Sequence, residues 1–304
     1  MRPHISSIAH NYLELKYSRL VRDQPAIMKH QTSSHFQLKK ISLAVLAGVS
    51  FAGIEAWSKD VEDSGSCEKI ESMDSQVQTS ALGNELEIIS WNIQKTSNPG
   101  WQKDLASLTD TANLVFIQEA VLEADYSASI PADNHRAFAP GYRRGELQTG
   151  VMTVSESNPT VACDLSISEP WLRTPKATSI SQYSLHERDE NLLVINLHAV
   201  NFAFGTRSYN KQLSELDEYL EAHPGPVILA GDLNTWSRKR LNLVNDFMSR
   251  HGLTAVTFEP DHRSKVFGKA LDHIYVRGLE AHFAETIKVD SSDHNPLRVR
   301  LRLL

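Results

Sequence analysis

From Glu85 to the C-terminus, short apolar runs alternate with polar breaks at the spacing of strands and a few helices. Leu86-Glu-Ile-Ile-Ser-Trp91 predicts a strand, and Trp101 to Leu108 predicts a short amphipathic helix. Leu114-Val-Phe-Ile117 predicts a buried strand running into Gln118-Glu119. Gly150 to Val154, Thr160 to Cys163, Ala177 to Tyr183 and Leu192 to Leu197 predict further strands. Tyr209, Leu213, Leu216 and Leu220 recur at helical spacing, which predicts a helix over Arg207 to Leu220. Val227 to Ala230 predicts a strand, Arg238 to Met248 a helix, and Leu271 to Val276 and Leu297 to Leu301 two final strands. Many strands with few amphipathic helices define an α/β chain of two packed sheets with helices outside. No internal repeat or low-complexity tract interrupts the pattern.

The N-terminal third reads differently. Residues 41–54 are uncharged and mostly apolar, with Lys39 and Lys40 before them. An apolar run this short suits a signal-peptide core or an uncleaved anchor better than a full membrane span. The pattern divides the chain into an extension over 1–57, a polar linker over 58–84 and a domain over 85–304. About forty residues before such a core is long for a secretory leader, so translation starting at Met28 is the simpler expectation. An exported (periplasmic or secreted) or membrane-anchored protein follows, with a cytoplasmic one as the alternative.

Composition narrows the choice of partners. The chain has 304 residues, 41% of them hydrophobic, and a formal net charge of -6. From Glu85 to Leu304 there are 22 Lys and Arg against 28 Asp and Glu, so the acidity belongs to the domain. Tight non-specific binding of nucleic acid through its phosphates calls for a basic face instead. The two cysteines, Cys67 and Cys163, do not form a zinc motif; they suit either one disulfide or two free thiols.

Candidate chemistry collects where the predicted strands end. Asn92 follows Ser90-Trp91, with Gln94 two residues on; Glu119 follows a buried run; Asn196 and His198 share a strand face. Asp232 and Asn234 share a face in Gly231-Asp-Leu-Asn234, where Gly231 permits a close backbone approach. A carboxylate there can align or deprotonate water while an amide holds a phosphoryl oxygen. Asp293-His294 pairs a hard oxygen ligand with an imidazole, and Asp272 is the candidate to orient that imidazole. The basic residues Arg143, Arg144, Lys176, Arg207 and Arg238-Lys239-Arg240 are candidates to line a substrate groove. Trp171 and Trp236 are candidates to stack on a base or to serve as core or lid residues. No apolar hairpin suited to entering a bilayer stands out.

Taken together, Trp91-Asn92, Gln118-Glu119, His198, Gly231-Asp-Leu-Asn234, Leu271-Asp272-His273 and Ser292-Asp-His-Asn-Pro296 resemble the endonuclease/exonuclease/phosphatase superfamily in order and spacing. Glu169-Pro-Trp-Leu-Arg, His198-Ala-Val-Asn-Phe, Asn234-Thr-Trp-Ser and Val266-Phe-Gly are similar to its bacterial YafD-like subfamily. The resemblance implies a four-layer α/β sandwich and hydrolysis of phosphate esters with Mg²⁺ or Mn²⁺. It implies that Glu119, with Asp293 and Gln94 nearby, holds the metal. It further implies that Asp232 positions the attacking water while Asn92 and Asn234 hold phosphate oxygens. His294, oriented by Asp272, acts at the phosphoryl group, and His198 stabilises the transition state or leaving group. At Gln94 the chain departs from the pattern, since some nucleases of the superfamily carry an Asp there, and the resemblance leaves the details of metal coordination open. The expected activity is a phosphodiesterase, foremost a nuclease. The alternatives are a phosphomonoesterase or lipid-headgroup phosphodiesterase, and a non-catalytic binding module. The expected partners are a phosphate-ester substrate such as nucleic acid and, through the N-terminal segment, a membrane; no protein partner is implied.

Overall fold

The computed structural model describes Ser66–Lys69 and residues 81–304 apart from Trp171 and Phe204. The apolar run over 41–54, the Met28 start and the Trp171 side chain lie outside the described residues. No helix among the described residues is long and apolar enough to cross a membrane.

Among the described residues, two large sheets and one small hairpin account for the strands. The first sheet has the order β1 (Ser66–Lys69), β6 (Val161–Ser168), β7 (Pro175–Ser184), β8 (Asn191–His198), β9 (Val227–Asp232), β13 (Asp272–Arg277), β10 (Thr254–Ala255). The second has the order β14 (Leu279–Thr286), β15 (Leu297–Leu303), β2 (Glu85–Asn92), β3 (Leu114–Val121), β5 (Leu147–Ser155), β4 (His135–Arg144). β11 (Lys265–Val266) and β12 (Lys269–Ala270) form the hairpin. Each large sheet contains one parallel pair, β2 with β3 and β8 with β9. A parallel pair needs a long crossover, and helices supply it. Helix α1 (Trp101–Thr109) joins the first pair; α2 (Arg207–Ser214) and α3 (Asp217–Ala222) join the second. Helix α4 (Arg238–Arg250) follows β9.

The alternation of side chains sorts the core into layers. Leu86, Ile88, Leu114, Phe116, Val299 and Leu301 of one sheet meet Leu192, Val194, Ile228, Ile274 and Val276 of the other. Ile89, Trp91, Val115 and Ile117 face the opposite way and cover Trp101, Leu105 and Leu108 of α1. Leu193, Ile195, Leu229 and Tyr275 likewise cover Tyr209, Leu213, Leu220, Val244 and Phe247 of α2 to α4. The result is the helix–sheet–sheet–helix sandwich that the strand pattern predicts.

Three details extend that pattern. The single helix predicted over Arg207 to Leu220 is two, because the turn tightens where Leu216 N–H bonds the Leu213 carbonyl at 3.0 Å. Tyr209, Leu213, Leu216 and Leu220 are nevertheless all buried. β4 and β14 lie at the edge of their sheet, where half-exposed polar positions hide the strand signal. Chain from the predicted linker joins the sandwich: β1 pairs with β6, and buried Leu82 bridges to Leu185. The register sets Cys67 opposite Cys163, and Cys163 is disulfide-bonded.

Removing this cross-link is expected to cost about 2–4 kcal/mol, since it restrains a long loop of the unfolded chain. A reductant should lower the urea midpoint. Cys163→Ser should start from the lower midpoint and ignore the reductant. Equal midpoints in all conditions would show that the cross-link carries no stability.

Candidate active site

On five strands the positions facing the other sheet turn from apolar to polar toward the same rim. β2 runs Leu86, Ile88, then Ser90 and Asn92; β3 runs Leu114, Phe116, then Gln118. β8 runs Leu192, Val194, then Asn196 and His198; β9 runs Ile228, Ala230, then Asp232. β13 is antiparallel to β9 and so begins with Asp272 before Ile274 and Val276. The period of two keeps each series on one face. In register, Asp232 stands between His198 of β8 and Asp272 of β13. Gly231 is required beside it: a Cβ there would lie 2.0 Å from the Leu197 carbonyl oxygen.

Glu119 arrives by a different device. The β3–β5 register slips between Gln118 and Ala120, and Glu119 is the bulged residue with φ +53°. A bulge re-aims one side chain out of the alternation. Asn234 also has positive φ, +48°. Non-glycine residues held there store strain of about 1–3 kcal/mol, a pattern common at functional sites.

Asp232 is the hub. Its Oδ2 accepts from Asn92 Nδ2 at 3.0 Å and its Oδ1 from the Asn234 N–H at 3.0 Å. Oδ2 also lies 3.6 Å from His198 Nε2 and 3.9 Å from His294 Nε2. Nδ1 of His294 meets the Asp272 carboxylate at 2.8 and 3.0 Å, so the imidazole bridges two carboxylates. Burial alone would lower the His294 pKa, but the charges of Asp272 and Asp232 overcome it and raise it to about 10. Burial raises Asp232 to about 6 against the pull of His294.

His198 takes a different protonation state. Its Nε2 lies 3.0 Å from Lys176 Nζ. Burial lowers the Lys176 pKa against the pull of Glu169 and Glu119; while the lysine is an ammonium it only donates, so Nε2 then accepts and the ring is neutral with its proton on Nδ1. Burial and then the Lys176 charge hold its pKa well below the usual value. Nε2 is also 4.0 Å from Glu119 Oε1, while Glu119 Oε2 binds Lys95 Nζ at 2.6 Å.

The predicted residues therefore fall into two groups. Asn92, Glu119, His198, Asp232, Asn234, Asp272 and His294 lie in one connected array. Gln94 and Asp293 make a clip at its margin. Gln94 Oε1 accepts from Asn98 Nδ2 at 2.8 Å and from the Asp293 N–H at 3.1 Å, and the Asp293 residue is exposed.

One expectation is corrected. Arg238 and Lys239 are exposed as a groove requires, but Arg240 is 1% exposed. It donates to the carbonyls of Val200 at 2.6 Å, Asn201 at 2.7 Å and Asn234 at 3.2 Å. Its guanidinium lies over the rings of Tyr209 and Trp236 at 4.7 and 4.6 Å. The residue thus ties α4 to the loops after β8 and β9, because three converging carbonyls and two ring faces satisfy a buried guanidinium. Trp236 joins the same support by donating to Asn201 Oδ1 at 3.1 Å.

Lys176, Glu169 and the pair Gln118–Asn196 also belong to the site; the sequence pointed to Lys176 only as a groove residue and to the other three only as parts of motifs. Buried Glu169 accepts from the Asn201 and Phe202 N–H groups at 2.7 and 3.1 Å and from Thr174 Oγ1 at 2.6 Å. Gln118 Nε2 donates to Asn196 Oδ1 at 2.8 Å, joining the two sheets beneath the pit. The signal for the pair was polar amides in apolar strands; for Lys176 it was a lysine opening a strand right after Pro175.

A divalent cation fits this donor set. Glu119 offers a hard carboxylate oxygen beside the pit, where its Oε2 binds Lys95 Nζ at 2.6 Å. Ligand atoms of Asp232, Asp272 and His294 also lie within 4.8 Å of one another, so this trio is a possible metal site. A cation there would compete with the proton that His294 carries between the two carboxylates.

Two stacked sheets with carboxylates, amides and imidazoles gathered at one rim define a hydrolase of phosphate esters. The chain belongs to the Endonuclease/Exonuclease/phosphatase family, whose profile matches residues 89–294. It is similar to UPF0294 proteins. One from Vibrio vulnificus is 39% identical over 220 residues, 72% of this chain and 77% of the relative. Another, from Photorhabdus laumondii, is 39% identical over 218 residues, 71% of this chain and 83% of the relative. Among solved structures, an endonuclease/exonuclease/phosphatase from Beutenbergia cavernae superposes with a TM-score of 0.55 at 16% identity, covering 72% of each chain. TDP2 of D. rerio, complexed with a single strand DNA product, gives 0.51 at 16%, covering 72% of this chain and 99% of that one. Mannosyl-6-phosphatase of Bacteroides thetaiotaomicron gives 0.53 at 16%, covering 71% and 99%.

Arg240→Ala is expected to destabilise the fold by about 3 kcal/mol or more, because it leaves buried carbonyls without donors. The exposed pair Arg238→Glu and Lys239→Glu should stay within ~0.5 kcal/mol of the parent. Urea unfolding of the two variants checks the contrast, and equal midpoints would contradict it.

Proposed function

We propose that the protein is a divalent-cation-dependent phosphodiesterase that cleaves nucleic acid strands. The observation that carries this reading is the charge set around Asp232. Asp232, Asp272 and Glu119 contribute three negative charges, and the His294 imidazolium and Lys176 two positive ones. A divalent cation held by Glu119 in place of Lys95 would leave the site one charge positive. The single negative charge of a phosphodiester then balances it.

Each residue has a task in an in-line attack. Asp232, ionised above about pH 6, accepts a proton from the attacking water or aligns it. Its hydrogen bonds from Asn92 Nδ2 and the Asn234 N–H hold the carboxylate in place. His294 donates from Nε2 to a phosphoryl oxygen while Asp272 fixes its Nδ1. Lys176, positioned by its hydrogen bond to neutral His198, presents a positive charge on the other side of Asp232, toward the charge that develops on phosphorus or on the departing oxygen. Mg²⁺ or Mn²⁺ bound at Glu119 supplies Lewis-acid polarisation of a phosphate oxygen. The TDP2 complex with a single strand DNA product supports a nucleic acid substrate through the shared fold.

One contact favours a second reading. If Lys95 remains on Glu119 at 2.6 Å when the metal binds, the extra positive charge suits the dianion of a phosphomonoester. The mannosyl-6-phosphatase that shares the fold is a precedent for that chemistry.

The same reading has the protein act exported or tethered at a membrane. The apolar run over 41–54 and the disulfide at Cys163 support an oxidising compartment.

The purified full chain with Mg²⁺ or Mn²⁺ should cleave single-stranded DNA and bis-p-nitrophenyl phosphate, and EDTA should stop both reactions. Asp232→Ala should lower kcat at least ~10²-fold, as expected for loss of a general base. Cleavage of p-nitrophenyl phosphate alone would establish the monoesterase. No turnover of any of these would point to the binding module.

Lys176→Met should lower kcat about 10²-fold with little change in KM, and Lys176→Arg should recover part of the loss. An unchanged kcat in Lys176→Met would remove the lysine from the mechanism.

A further inference from the structure

The hairpin β11–β12 closes on a two-residue loop, Phe267-Gly268, with Val266 paired to Lys269. Both loop residues have positive φ, +51° at Phe267 and +71° at Gly268. This is the pattern of a type I′ turn, whose first central position normally takes Asn, Asp or Gly. A bulky aromatic there is strained. Phe267 is also 66% exposed, so its ring gains no core packing in return. A residue unfavourable on two separate counts for the fold is best explained by what it touches outside the fold.

Its base is stapled to the active site. The Leu271 N–H bonds the Ser264 carbonyl at 3.1 Å, and Ser264 Oγ donates to the Asp293 carbonyl at 2.6 Å. Thr235 Oγ1 donates to the Ala270 carbonyl at 2.5 Å. The hairpin therefore connects the loops that carry Asn234 and His294, and the next residue after Leu271 is Asp272. Phe267 lies five positions before Asp272, at most about 17 Å of extended chain. Lys269 follows the turn directly on the face of its partner Val266, while Lys265 lies on the other face with its Nζ 3.4 Å from Asp261 Oδ2.

Resting on the phosphodiesterase reading above, we propose that Phe267 is the stacking platform for a nucleobase of a single-stranded substrate, with Lys269 beside the turn to meet its backbone. Aromatic side chains beside cations hold single strands in this way, because every base has a π face and every linkage a charge. A compact platform also fits a domain with a net charge of -6, which has no excess of cations to track a long duplex. A bilayer is the less fitting occupant: one ring on strands of two residues buries too little apolar area to anchor a protein.

The test uses the full chain and the variants Phe267→Asn and Phe267→Trp. Asn suits a positive φ, so Phe267→Asn should melt at the parent temperature or above. Its KM for a short single-stranded oligonucleotide should rise about tenfold, and its anisotropy-measured Kd likewise. Phe267→Trp should keep both near the parent value. All three proteins should hydrolyse bis-p-nitrophenyl phosphate equally. An oligonucleotide KM and Kd unchanged in Phe267→Asn overturns the proposal. So does a Phe267-dependent affinity for phosphatidylglycerol vesicles with oligonucleotide binding unaltered, which would indicate membrane insertion. If the parent hydrolyses bis-p-nitrophenyl phosphate but does not bind the oligonucleotide, the platform fails and the phosphodiesterase stands. If it hydrolyses no diester, the phosphodiesterase reading fails, and oligonucleotide binding lost in Phe267→Asn would still uphold the platform.

Discussion

Asp232 is a buried carboxylate directly opposite a second buried carboxylate, Asp272, across a strand ladder. Two such charges repel, and taking either from water costs several kcal/mol unless something compensates. The compensation accounts for the arrangement around them. His294 sits between them as a cation, two amide donors hold Asp232, and His198 with Lys176 closes the other side. The loop bearing His294 must then be placed accurately. Trp91 Nε1 donates to the His294 carbonyl at 2.9 Å and Ser292 Oγ to the Asn92 carbonyl at 2.7 Å, which does so from the end of β2. Electrostatic demand at one residue thus reaches into the packing of both sheets.

Rigidity near that centre comes from polar links more than from apolar packing. Gln118 and Asn196 join the sheets where the hydrophobic layer gives out, and Asn196 Nδ2 continues the link to the Met152 carbonyl at 3.0 Å. Arg240 and Glu169 do the same for the surrounding loops, one gathering carbonyls and the other N–H groups. Buried polar groups of this kind add little net stability, but they strongly penalise any arrangement that leaves them unpaired. Positive φ at Glu119 and Asn234 is tolerated because the surroundings over-determine it.

Much of this was legible in the sequence, and the reason is periodicity. Apolar inward positions that give way to Asn92, His198 and Asp232 at strand ends mark a polar rim before any coordinates are known. Asp272 beside His294 was readable too, because an imidazole at such a site needs an orienting carboxylate. The bulge at Glu119 was not, since one extra residue leaves no trace in the alternation. Arg240 was misjudged as a groove residue. A run of three cations reads as a solvated face, and only the third dimension reveals the carbonyls and rings that enclose one of them. Edge strands β4 and β14 were hidden for the opposite reason, as polar exposed positions carry no periodic signal.

The two parallel pairs have a consequence for how activity arises. The pair β2–β3 brings Asn92 and Glu119, whereas β8–β9 brings His198 and Asp232, and the pairs lie in different sheets. Neither sheet alone holds a working set of groups. Turnover is therefore a reporter of completed sheet-on-sheet docking, and a chain caught half-assembled is silent as a hydrolase.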